Sequence, residues 1–358
     1  MESKPLDSTT SLQIKYCRIL CIFFMCMVHV PPGLDLIDNP PLYLDAIETV
    51  IGDVFGRASV AALSFISGFL IVYNFIANDW LTTIRKRFVA LVVPMAFWNL
   101  AIIVVGLMIL KVTGASTSVV EKLEGLELYE IVLFRIFTVD YGGATESLNF
   151  LRDIFMCVVL SPAIIWLAKR LSWLLIPGLL IVDSFISFQP LVMRGMILVF
   201  FSFGVVYSLK FDSLSQVNKL KIPALIGSLI VIALEFAFKY TELSSSQLYF
   251  YEIFKRVSIG TLAILCAYFL ANTVKSGFIH SIDRSTYFLF LAHNVFFLVC
   301  WGAWQLLFSQ SVEFPYVFFY LSLTAVWFVI GFYLRTILNF FPRPIQQLVT
   351  GKAYRNRS

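Results

Sequence analysis

Apolar runs of about 18 to 25 residues recur along nearly the whole chain, and each is long enough to cross a bilayer as one helix. About ten stand out, at 13–30, 54–78, 88–111, 149–168, 172–187, 191–209, 222–239, 256–273, 285–308 and 315–337. They predict an all-α fold: a polytopic membrane helix bundle of about ten transmembrane helices, forming a single domain over 1–358. The run 172–187 is short, which suits a tilted or re-entrant segment. The stretch 42–53 is amphipathic and is expected to lie at a membrane surface, and 128–138 to form a surface helix. Of 358 residues, 59% are hydrophobic and only 14% charged. Soluble domains carry about 25% charged residues, so this chain has too little polar surface to cover a water-soluble globule.

The loop charges give orientation. Lys4 and Lys15, Arg85-Lys86-Arg87, Lys169-Arg170, Lys210 with Lys219 and Lys221, Lys275 with Arg284, and Lys352, Arg355 and Arg357 all fall on one side if the ten runs span. The opposite loops are acidic or mixed, with Glu121, Glu124, Glu127, Glu130, Asp140 and Glu146. The positive-inside rule then predicts that both termini are cytoplasmic. The net charge of +5 sits in short loops, not in a patch with exposed aromatics, so no nucleic-acid partner is expected. The loop 112–148 is too short for a separate catalytic domain, and no internal repeat of the transporter kind is visible. The first run is too long for a cleavable signal and carries Arg18, so it reads as a span. The six cysteines, Cys17, Cys21, Cys26, Cys157, Cys266 and Cys300, all lie in apolar segments without metal-ligand spacing. They read as buried thiols, with neither disulfides nor a metal site expected.

Within the first run, Arg18 and His29 are eleven residues apart. At about 100° per residue that spacing returns to one helix face, about 16 Å further along the axis. An imidazole inside a span is costly and marks a functional site by default. An arginine on the same face, one long linker away, suggests an elongated anionic ligand reaching into the membrane.

Several segments together resemble the acyltransferase-3 family of integral membrane acyltransferases. Its first-span pattern, Arg or Lys, ten residues, then His, reads here as Arg18 and His29. The segment Arg57-Ala-Ser59-Val-Ala-Ala-Leu-Ser64-Phe-Ile-Ser67-Gly68-Phe69-Leu is similar to its second motif, with Ala61 in place of the usual proline. Arg85-Lys86-Arg87 with Pro94 and Trp98 resembles its basic loop and proline, with Leu91 where an arginine is often seen. Leu-Asn149-Phe-Leu151-Arg152 resembles a Leu-Trp-Phe-Leu motif, and Ser285 to His293 a late Ser-Tyr-x-x-Tyr-Leu-x-His motif.

The resemblance implies transfer of an acyl group, usually acetyl from acetyl-CoA, to a sugar hydroxyl of a cell-surface polysaccharide or its lipid-linked precursor, in a bacterial inner membrane. Acetyl-CoA would be a co-substrate; the partners would be that glycan and membrane lipids. His29 would be the general base, since imidazole titrates at about 6.5; the bland alternative is a packed histidine. Arg18 would anchor CoA phosphates, against simple snorkelling to the interface. Arg85, Lys86 and Arg87 would share that role or only set orientation. Asp53 and Arg57, four residues apart, form an ion pair on a helix or a polar shelf that binds the acceptor. Ser64 and Ser67-Gly68 suit close helix packing or an acyl channel, where Ser67 would touch substrate. Arg152 and Asp153 are neighbours that cannot pair well along a helix, so each is expected to find a partner elsewhere, Arg152 in the acceptor site. His293 is expected about a third of the way across from the cytoplasmic side. There it would make a structural hydrogen bond or line the donor tunnel and proton path. His280 reads as a solvated loop residue. The rival classes are a transporter or flippase of lipid-linked saccharides and a polysaccharide polymerase; neither needs a thioester.

Overall fold

The computed structural model describes residues 6–31, 41–77, 79–114, 116–139, 142–186, 188–239, 241, 243–274, 277–308 and 314–352. Lys4, Asp140, Tyr141, Lys275, Arg355 and Arg357 lie outside the described residues. All regular structure among the described residues is helical. The α-helices are α1 (Ser8–Met27), α2 (Leu42–Glu48), α3 (Arg57–Ala77), α4 (Trp80–Arg87), α5 (Val93–Thr113), α6 (Ser118–Glu121), α7 (Leu128–Glu130), α8 (Asn149–Leu171), α9 (Leu175–Phe185), α10 (Gly195–Lys210), α11 (Lys221–Phe238), α12 (Ser245–Thr273), α13 (Phe278–Phe308), α14 (Phe314–Ile337) and α15 (Arg343–Thr350). The chain is a multi-pass membrane helix bundle.

Eight helical stretches among the described residues are long and apolar enough to cross a membrane, against about ten expected. The expected runs 149–168 and 172–187 merge into one stretch, Asn149–Phe185. It turns where α8 ends, at Ser172 with φ +52°. The helix beyond, α9, has 11 residues and rises only about 16 Å, half the hydrocarbon thickness. The expected run 191–209 is the 16-residue α10. The stretch 42–53, expected at a membrane surface, is continuous with the next span. It runs through π-helical turns at Thr49–Gly56 straight into α3, because nothing between Leu42 and Arg57 breaks the helix and its two glycines pack inward. Gly56 lies against the Phe24 carbonyl and Val28 at the end of α1.

α1 packs against α3, α12, α13 and α14, so its side chains lie at the centre of the bundle. α3 and α10 cross more closely than side chains permit. Gly68 abuts the Phe201 backbone, and Gly204 abuts the backbone of Phe65 and Phe69. Lipid offers helices no hydrophobic reason to associate, so such small-residue contacts supply the packing. Two further π-helical turns lie at Phe88–Val92 and Ile131–Ile136. Such turns mark places where helical register is bent, often at functional sites.

Candidate active site

Three polar pairs join α1 to α13. Lys15 Nζ donates to His280 Nδ1 at 2.9 Å. Arg18 Nη2 meets Asp283 at 2.9 Å from Oδ1 and 3.2 Å from Oδ2. The rings of His29 and His293 are 5.4 Å apart between centroids, tilted by 47°. The sequence separations are 265, 265 and 264, so the two helices run parallel in almost constant register. His280 is exposed, as expected of a solvated residue, but it lies on α13 and not in a loop.

At the His29 end, α1 closes at Met27, two residues short of His29. His29 sits in the following turn, its amide bonded to the Cys26 carbonyl at 3.0 Å, where an unbroken helix through Val30 was expected. His29 is half-buried and His293 fully buried. His293, expected about a third of the way across from the Arg18 side with either a structural hydrogen bond or a place on the donor and proton path, lies beside His29. Its Nδ1 lies 2.5 Å from the Phe290 carbonyl. A carbonyl only accepts, so Nδ1 carries the proton and Nε2 keeps a lone pair. That Nε2 is buried without a hydrogen-bond partner among the described residues.

His29 opens into a cavity of about 600 Å³, walled also by Glu121, Lys122, Thr145, Glu146, Asn294 and Trp301. Asn294 donates to Ser147 Oγ at 2.5 Å, Thr145 donates to Asn99 Oδ1 at 3.1 Å, and Lys122 pairs with Glu146 at 3.7 Å. An aromatic ring with scattered amides, hydroxyls and carboxylates suits a polyhydroxylated ligand. The sequence showed the two glutamates only as loop charges. Asn294 was overlooked although it directly follows His293.

The other expected acceptor residues divide. Arg57 Nε pairs with Asp53 at 2.7 Å, held near the end of α1 by Gly56. The charges of Arg57 and Arg194 both reach His29. Arg194, the lone cation of the apolar stretch 188–207, was the signal passed over. Asp53 faces a second cavity of about 300 Å³ beside Glu235, Lys239 and Glu252. Ser64 and Ser67 return their hydroxyls to the Val60 and Leu63 carbonyls at 2.7 and 2.8 Å, and neither lines the His29 cavity. Arg152 does pair with its neighbour, Nη1 to Asp153 Oδ1 at 3.0 Å, contrary to expectation. The pair closes across the loop 188–194: Asp153 accepts from the Met193 and Arg194 amides at 2.9 and 3.2 Å, while Arg152 donates to the Pro190 and Leu191 carbonyls. Arg152 thus braces the loop that carries Arg194 and lies outside the cavity wall.

At the Arg18 end, Arg85 and Lys86 are exposed and Arg87 is half-buried. Arg87 lies within electrostatic reach of Arg18. The Arg18–Asp283 pair is partly exposed, and such pairs contribute about 0–1 kcal/mol, so Arg18 can be released to a better anion at little cost. Its Nε is buried without a partner among the described residues. Among the described residues no group of three His, Cys, Asp or Glu is placed to hold a metal ion. Cys17, Cys21, Cys26 and Cys157 are buried free thiols, whereas Cys266 is exposed and Cys300 half-buried.

The family model described as "Acyltransferase domain" matches residues 11–336. The chain is also similar to the succinoglycan biosynthesis protein ExoH of Rhizobium meliloti (strain 1021), 24% identical over 229 residues. That match takes in 63% of this chain and 61% of the relative, so it spans less than two thirds of the relative's length. No solved structure matches.

Proposed function

Because the chain belongs to the acyltransferase-3 family of membrane proteins, we propose that it moves an acetyl group from cytoplasmic acetyl-CoA to a sugar hydroxyl of a cell-surface polysaccharide or its lipid-linked precursor. One observation carries the reading: a single α1–α13 seam has cations at one end and two imidazoles at the other, and the imidazole end opens into a roomy polar cavity. Arg18, with Arg87 beside it, binds the donor's phosphates, and the thioester reaches along the seam to His29, about 16 Å away along the axis. The sugar enters the cavity lined by Glu121, Glu146 and Trp301. The similarity to a succinoglycan biosynthesis protein favours a polysaccharide acceptor, and the loop charges favour a donor side in the cytoplasm of a bacterium, with the bundle in its inner membrane.

His29 takes the proton of the acceptor hydroxyl as the oxygen attacks the thioester carbonyl. The tetrahedral adduct collapses, the carbon–sulfur bond breaks, and the imidazolium returns its proton to the CoA sulfur. His293, its tautomer fixed by the Phe290 carbonyl, steadies the His29 ring and the charge it acquires.

Purified protein, wild type beside His29→Ala, tests this directly. Binding of acetyl-CoA by both, with acetyl transfer or slow thioester cleavage in the wild type alone, is the expected result. Transfer retained by His29→Ala would remove this histidine from the chemistry. Binding by neither protein would overturn the acyl-CoA reading.

A further inference from the structure

The last described residues end at the Arg18 site. α15 is capped by Gly351 in the left-handed region, φ +67°, with its amide on the Gln347 carbonyl at 2.8 Å. Glycine is required there twice over, by that conformation and because a Cβ would run into the Ala90 backbone. Trp98 Nε1 holds the Val349 carbonyl at 2.9 Å, and the buried Thr350 and Gln346 tie the helix end to Phe341 and Lys352. The Ala90 carbonyl also accepts from Tyr287 Oη at 2.8 Å. Tyr287 is one helical turn beyond Asp283, and Arg87 precedes Ala90 by three residues. The contact at Ala90 therefore carries the exposed Lys352, the next residue after Gly351, to the end of the bundle that holds the Arg18–Asp283 pair. Its ammonium is within electrostatic reach of Arg18, Arg87 and Asp283.

Three cations thus face one carboxylate among the described residues, an imbalance that self-repulsion disfavours unless an anion completes it. A folded chain that brings like charges together with a buried, unpartnered guanidinium nitrogen presents a site for a phosphate-type dianion.

Building on the acyl-CoA reading above, we propose that Lys352, carried in by α15 and locked by Gly351 against Ala90, is a donor-binding residue that contacts a phosphate of the CoA nucleotide together with Arg18 and Arg87.

The test is steady-state transfer by the full-length protein in nanodiscs, comparing wild type, Lys352→Gln and Lys352→Arg. The donors are acetyl-CoA, acetyl-dephospho-CoA, which lacks the 3′-phosphate, and acetyl-pantetheine, which has none. Lys352→Gln should raise the KM for acetyl-CoA about tenfold, as loss of a charge-assisted contact does, with kcat little changed and Lys352→Arg close to wild type. A penalty that vanishes with the dephospho donor assigns Lys352 to the 3′-phosphate. One that persists there but vanishes with acetyl-pantetheine assigns it to the diphosphate. No penalty with acetyl-CoA, or an equal penalty with acetyl-pantetheine, overturns the proposal. Binding of inorganic pyrophosphate separates the two readings. If the wild type binds it, Lys352→Gln does not, and no acyl-CoA is turned over, the anion site stands and the acyl-CoA reading fails.

Discussion

The ring of His29, in the turn that follows α1, faces that of His293 at 5.4 Å, and eleven residues earlier, on α1, Arg18 is paired with Asp283. Two parallel helices in constant register thus carry a charged pair and an imidazole pair at fixed spacing. On the proposed reading, a donor held by its phosphates at one pair would present its thioester at the other.

His293 has its own consequence. With Nδ1 committed to the Phe290 carbonyl, it supports His29 without binding the donor. His293→Ala should lower kcat about 100-fold and leave the KM for acetyl-CoA within about twofold. It should also displace the acid limb of the kcat/KM profile, which a purely structural loss would not move. A raised KM with an unchanged profile would return His293 to the donor path.

Arg18 and Asp283 should respond in opposite directions. Arg18→Ala removes a phosphate ligand and should raise the KM for acetyl-CoA about tenfold or more. Asp283→Asn removes a carboxylate that competes with phosphate, so the KM should stay level or fall. Equal increases in both variants would make the pair a structural clamp.

The alkaline side of the donor KM profile should report Lys352, which lies outside the membrane-spanning stretches. Desolvation by the surrounding chain, then the charges of Arg18 and Arg87, hold its ammonium below the ordinary lysine value of 10.5, while Asp283 pulls the other way. The side chain is charged below its lowered pKa and neutral above it. Attraction for phosphate therefore fades as pH rises through that value, and the wild-type KM rises before the usual lysine range is reached. Lys352→Arg stays charged and should flatten the rise; if both proteins rise together, another group is responsible.

The α3–α10 crossing should tolerate no side chain. A Cβ at Gly68 or Gly204 meets backbone, which cannot swing aside. Gly68→Ala or Gly204→Ala should cost about 1–3 kcal/mol, as overpacking does, and lower the melting temperature in detergent. Gly178→Ala, in α9 with open space around it, should be neutral or gain up to about 1 kcal/mol in helix propensity.

Arg152→Ala strips a fully buried Asp153 of its cation and should destabilise by about 3 kcal/mol, read as a fall in melting temperature. Donor KM should not change. Full stability with lost acceptor affinity would instead place Arg152 in the acceptor site.

Much of this was legible in the sequence because it is local. Apolar runs of membrane length must become helices, since hydrocarbon leaves backbone groups no other partners. A spacing of eleven puts Arg18 and His29 on one face of a continuous helix, and although α1 ends at Met27 both still meet α13 in one register. The family pattern added the segments around Gly68 and His293. The readings that had to change are those where continuity or length, not composition, decides. Pattern alone did not show that the amphipathic stretch 42–53 runs on into the next span, through π-helical turns where Gly52 and Gly56 pack inward. The 16-residue α10 was expected as an ordinary span, whereas the short run 172–187, expected as tilted or re-entrant, is an 11-residue α9 that follows a turn at Ser172. Only the tertiary structure could bring His293 to His29, Asp283 to Arg18 and Lys352 to both charges. These partners lie far apart in sequence, 264 residues for the two histidines and 265 for Arg18 and Asp283, and their meeting is set by which helices pack together. The cavity, too, is built by residues 116–122 and 144–146 meeting the side chains of α13, and no local pattern records that meeting.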